Sequence, residues 1–114
     1  MNQIDARELM RDVLPKLRAT RSLIDTTLKK RIETCDDEEE SHRLTVLQDE
    51  FTLEMTMIRL NLEHLLKRYE DQLEAASRGE RYFSSPILTM DDAEAMAIER
   101  AKRLYVRAHQ LQTR

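Results

Sequence analysis

The sequence predicts an all-α protein with three main helices. We expect a helical hairpin with a long central helix, plus a C-terminal helix, forming a bundle or a coiled-coil-like assembly. The 114 residues include one glycine and two prolines, so few positions oblige a helix to stop. Aromatic residues make up 4%, which is low for a β-rich domain, and apolar residues recur at helical spacing. The length suits a single helical domain over residues 1–114.

The first helix is predicted over about residues 5–33. Asp5 followed by Glu8 is a capping pair that opens a helix. Pro15 lacks a backbone donor and crowds the preceding turn, so we expect a kink near it. Apolar residues at helical spacing extend the pattern on both sides of this proline: Leu9, Val13, Leu17, Ile24, Leu28 and Ile32.

The central helix is predicted over about residues 38–78, and it carries two apolar faces. The longer face runs from Leu44 to Ala76. The alternation over residues 51–57 also fits a strand, but the helical register extends over many more residues and favours a helix. A second set of apolar residues, which we call the apolar stripe, lies nearly opposite the longer face: Val46, Leu53, Met57 and Leu60.

The apolar stripe is the most informative feature of the sequence, because a surface helix needs only one apolar face. One interpretation is that the first helix covers one face of the central helix and the third helix covers the other. The alternative is a partner chain. At 1.5 Å per residue the central helix would be roughly 60 Å long and would outreach both neighbours, which favours a partner.

The third helix is predicted over about residues 90–112. Thr89 and Asp92 resemble a capping box that would start this helix. Residues 79–88 form the predicted loop, which is unusually apolar for a connector. Gly79 stands where a left-handed C-cap is expected.

Composition places broad limits on location and partners. The formal net charge of −3 provides no global basic field for nucleic acid. Cys35 is the single cysteine, so no internal disulfide is expected. We find neither a signal-peptide pattern nor an apolar run long enough to span a membrane, so we expect an intracellular, cytoplasmic protein without membrane contact, a nuclear location also being open.

No pattern points to catalysis, a cofactor or a metal. Cys35 lacks the glycine-rich turn and base that a nucleophile needs. Glu39 and His42 have Glu-x-x-His spacing, but the chain holds no second such pair for a di-iron site. We therefore expect a protein that is not an enzyme, with no catalytic residue, no cofactor and no metal ligand.

The last helix carries arginines on one face: Arg100, Arg103, Arg107 and Arg114. Guanidinium groups suit phosphate or carboxylate partners, so these residues are candidate contacts for an acidic partner or for nucleic acid, with a solvated face as the plain alternative. The outline of the chain, with a leucine-rich helix over residues 44–73, a short loop and Leu88 to Asp92 opening another helix, is similar to the helical domain of GINS replication subunits. The resemblance rests on this outline over about half the chain and identifies no family. It implies a helical subunit of a nucleic-acid-associated complex.

His64 lies on the continuation of the apolar stripe. The run from His64 to Lys67 resembles the core of the histidine phosphotransfer motif, in which a histidine of a helical bundle accepts phosphate. That family has a glycine and a small residue after the lysine, whereas this chain has Arg68 and Tyr69. An ordinary surface or interface histidine is the alternative interpretation.

The sequence therefore predicts a non-enzymatic helical interaction subunit or adaptor. We expect it to assemble through apolar helix faces into a homo-oligomer or hetero-oligomer with itself or another helical protein. The first alternative is a helical subunit of a replication-type complex that uses the arginines of the last helix, with nucleic acid contacted only indirectly. The second alternative is a histidine-phosphotransfer-like bundle. The predicted interface residues are Val46, Leu53, Met57, Leu60 and His64.

Overall fold

The computed structural model describes residues 2–78 and 86–112, most of which are helical, so the all-α prediction is confirmed. A small two-stranded sheet is added to the helices. The elements in chain order are β1 Asn2–Asp5, α1 Ala6–Glu8, a π-helical segment Leu9–Val13, α2 Leu14–Ser22, a second π-helical segment Leu23–Leu28, α3 Lys29–Glu33, α4 Glu38–Arg68, α5 Glu70–Ser77, β2 Ile87–Met90 and α6 Asp92–Gln112.

Residues 6–33 form one continuous helical run, which we call helix one, and it contains both π-helical segments. Asp5 caps its start by accepting a hydrogen bond from the backbone N–H of Arg7 at 2.7 Å. The two segments each contain a pair of buried apolar residues four positions apart, Leu9 with Val13 and Ile24 with Leu28. Since an α-helix has 3.6 residues per turn, a spacing of four drifts around its axis. A wider π-helical turn opposes this drift and keeps the buried residues in line.

The central helix is divided at Tyr69, where φ is −114° and ψ is 25°. The structure thus has α4 and α5 in place of the continuous helix predicted over residues 38–78. Asp37 caps α4 by accepting from the backbone N–H of Glu39, and three glutamates occupy the first turn, where the helix dipole favours negative charge. Residues 51–57, whose alternation also fits a strand, are helical.

The sheet joins two segments that lie far apart in sequence. β1 and β2 are antiparallel, with Asn2 opposite Met90 and Ile4 opposite Leu88. Ile4, Leu88 and Met90 are buried, so the sheet adds one apolar face to the core. The sequence predicts a loop and then the start of the third helix over Ile87–Met90, whereas the structure has a strand there. Gly79 and the rest of residues 79–85 lie outside the described residues.

The start of α6 is set by Asp91 and Glu94, not by Thr89 and Asp92. The backbone N–H of Glu94 donates to Oδ1 of Asp91 at 2.7 Å, and the backbone N–H of Asp91 donates to Oε1 of Glu94 at 2.9 Å. This reciprocal pair is a capping box. The capping box predicted at Thr89 and Asp92 does not start the helix, because Thr89 belongs to β2.

The core lies where α4, α6 and helix one meet. α4 contributes Phe51, Ile58, Leu62 and Leu65. α6 contributes small side chains at Ala97, Ala101 and Ala108 together with Leu104, which permits close approach of its neighbours. An ion pair between Lys102 and Glu8, 3.0 Å apart, joins α6 to helix one.

Candidate protein interface

The four residues of the apolar stripe are exposed on α4. Val46 is 42% exposed, Leu53 63%, Met57 43% and Leu60 52%. The helical period places them on the side of α4 away from the buried residues Phe51, Ile58 and Leu65. Helix one and α6 pack on the other sides of α4 and leave the stripe uncovered.

His64 is also exposed and continues the stripe by one further step of the helix. The structure therefore places all five predicted interface residues on one accessible face: Val46, Leu53, Met57, Leu60 and His64. Several exposed apolar side chains on one helix face are typical of protein interaction sites. A partner at this face stays a prediction, as does phosphate transfer to His64.

Charged residues of both signs flank the stripe at each of its ends. Arg43, Asp49 and Glu50 are exposed in the N-terminal half of α4, and Glu63 and Lys67 are exposed beyond Leu60. The surface thus combines apolar side chains with flanking charges of both signs.

Of the arginines predicted to form one face of the last helix, the structure describes three, and they differ in exposure. Arg103 and Arg107 are exposed on α6 and Arg100 is half-buried. The Arg107 guanidinium lies over the ring of Phe51, 5.1 Å from its centroid, so this side chain contributes to packing. Arg114 lies outside the described residues. A phosphate or carboxylate contact at this face stays a prediction.

A polar cluster that sequence reasoning missed joins the end of α4 to the start of α6. Glu94 is 1% exposed and accepts a hydrogen bond at 2.8 Å from Arg68, which also donates to the backbone carbonyl of Thr89. Oε2 of Glu94 is buried and has no hydrogen-bond partner among the described residues. The Asp-x-x-Glu spacing at Asp91 was the available sequence signal for this glutamate.

Tyr69 belongs to the same cluster, and its phenol oxygen accepts a hydrogen bond at 3.1 Å from the backbone N–H of Thr89. This hydrogen bond, together with the nearby Arg68 guanidinium, holds the pKa of Tyr69 below its usual value because donors and positive charge favour the phenolate. Arg68 in turn has a raised pKa, chiefly through its hydrogen bond to Glu94.

An alkaline titration followed by phenolate absorbance is expected to show one tyrosine ionising below the usual value of about 10. Tyr69→Phe is expected to remove that early step. Because the pKa is lowered by folding, this group favours the folded state fully above the unfolded pKa, and the contribution is lost as the pH falls through the folded pKa. An early step that persists in Tyr69→Phe would assign it to another tyrosine.

The remaining candidates for chemistry are not brought together. Cys35 is half-buried in the connector before α4, and its thiol lies 3.4 Å from the backbone carbonyl of Asp37. The residues described by the structure include no group of three or more His, Cys, Asp or Glu side chains placed to hold a metal ion. Nor do they include a helix with the length and apolar character needed to cross a bilayer.

Comparison with known proteins gives no assignment. No family model, no curated protein and no solved structure matches the chain.

Proposed function

We propose that this chain is a non-enzymatic helical interaction subunit or adaptor that assembles through the apolar stripe of α4. The observation that carries this proposal is the exposure of four large apolar side chains on one face, between 42% and 63% for each. Removing apolar surface from water stabilises an assembly by about 25 cal/mol for each Å² buried. Left in water, the same surface would favour aggregation.

A second copy of the chain can cover the stripe, because two such apolar faces can pack against each other, and another helical protein with an exposed apolar face is the alternative partner. Two α4 helices packed antiparallel through their stripes bring Leu53 of one copy towards Met57 of the other. Closed two-fold pairing of this kind is the commonest form of homo-oligomer. In such a pair the apolar stripe supplies the affinity.

Leu53→Asp combined with Met57→Asp is expected to dissociate the assembly without unfolding the subunit. Both side chains are exposed in the isolated chain, so a carboxylate there stays hydrated, whereas in an interface it would be buried without a partner. Light scattering should give at least twice the chain mass for the parent and the chain mass for the variant, with unchanged circular dichroism.

Val106→Asp is the matched control, because Val106 is 53% exposed but lies on α6, outside the stripe. This variant is expected to keep the mass of the parent. A parent that is monomeric at every concentration would contradict self-association. An assembly that survives both stripe substitutions but is lost in Val106→Asp would place the interface elsewhere.

A further inference from the structure

A groove between helix one and α4 shares no residue with the apolar stripe and forms a cavity of about 280 Å³ that is open to solvent on one side. Its apolar walls come from Leu14, Leu17, Met55 and Leu66, which are only half-buried. Ile24 and Leu62 are buried and also line it. Ligand sites are typically concave and mainly apolar with a few polar groups, and this cavity falls just below their usual range of about 300–1,000 Å³.

Arginines line the same groove and make it electropositive. Arg18 and Arg21 come from α2, Arg59 comes from α4, and all three are exposed. Arg21 lies 3.7 Å from Asp25, the one acidic residue that lines the groove. Within residues 2–78 and 86–112, no ion pair involves Arg18 or Arg59. Two guanidinium groups are therefore available to an anion.

The second π-helical segment, Leu23–Leu28, supplies Ile24 and Asp25 to the groove. Leu14, which also lines the groove, directly follows the first π-helical segment. Such turns are rare and occur frequently at functional sites. The hydroxyl groups of the two lining threonines already donate to the backbone of α4. Thr52 donates to the carbonyl of Gln48, and Thr56 donates to the carbonyl of Thr52. Because Asp25 is paired with Arg21, the charged groups left for a ligand are Arg18 and Arg59.

We propose that this groove binds a single-chain amphipathic carboxylate, with its alkyl chain against the apolar walls and its carboxylate at Arg18 and Arg59. An apolar chain alone would make no use of the guanidinium groups, and a small anion alone would leave the apolar walls in water. A ligand that combines both matches the groove in shape and charge. This site shares no residue with the apolar stripe, so ligand binding here can be tested independently of the proposed assembly.

Calorimetric titration of the whole chain with hexanoate, octanoate, decanoate and decanol tests the proposal. Affinity is expected to rise up to about fourfold for each added methylene until the cavity is full. Decanoate is expected to bind more tightly than decanol. Arg18→Gln combined with Arg59→Gln should weaken decanoate binding about tenfold and leave decanol binding unchanged, because only the charged head loses its partners.

Two further variants separate the groove from other apolar surface. Thr56→Trp, which places a bulky side chain in the groove, is expected to abolish binding, with folding verified by circular dichroism. Leu53→Asp combined with Met57→Asp is expected to bind decanoate as the parent does. Binding should also shift the backbone amide resonances of Ile24 and Asp25. Absence of decanoate binding, or equal weakening of decanoate and decanol by the arginine substitutions, would overturn the proposal.

Discussion

Phe51→Ala is expected to lower the free energy of unfolding by about 3–5 kcal/mol. Phe51 is 2% exposed and is among the largest fully buried side chains of the core. Truncation removes its transfer free energy and leaves a cavity that neighbouring helices fill only in part. It also removes the ring on which the Arg107 guanidinium rests. Since small domains have total stabilities of about 5–15 kcal/mol, the variant should be close to unfolding.

Urea denaturation at matched protein concentration measures this effect, because association would make the apparent stability depend on concentration. Met96→Ala is a suitable control, since Met96 is 55% exposed on α6, and its truncation is expected to change stability by less than about 0.5 kcal/mol. Equal effects in the two variants would mean that Phe51 is not packed as described.

Glu94→Ala has the second largest expected effect, a loss of about 2–4 kcal/mol. The substitution removes the acceptor for the Asp91 backbone N–H and the partner of Arg68 within a buried cluster. The loss from the broken ion pair is small because the Arg68 side chain is 43% exposed, so water can solvate its guanidinium in the variant. Chemical denaturation should show the loss.

Two matched variants distinguish the causes. Glu99→Ala removes an exposed glutamate from the same helix and is expected to be nearly neutral. Glu94→Gln keeps the shape and one oxygen acceptor while it removes the charge, so an intermediate loss is expected. If Glu94→Gln were as destabilising as Glu94→Ala, the ionic contact and not the capping box would account for the effect.

The helices were predictable because their signals are local. The four-residue and three-residue spacing around Phe51 and Leu62 identifies the buried face of α4 without knowledge of the fold. The same period identifies Val46, Leu53, Met57 and Leu60 as a separate set. Whether that set is covered depends on the paths of helix one and α6, which the sequence does not specify.

The strands were missed because their partner is distant. Asn2–Asp5 is a segment of four residues, and its pairing with Ile87–Met90 leaves no local pattern beyond alternating burial. Once Thr89 is part of a strand, the helix start moves to Asp91, whose spacing to Glu94 was equally visible. The arginine-lined groove depends on side chains from two helices, Arg18 and Arg59, that no sequence window contains together.

The two-stranded sheet also has a consequence for folding. A hydrogen bond from Asn2 to Asp92 joins residues 90 positions apart, next to the paired strands. Contacts across such a separation carry a large loop-closure entropy and slow the search for the native topology. Because the contacts within the helices are local, we expect the two-stranded sheet to close after the helices have formed.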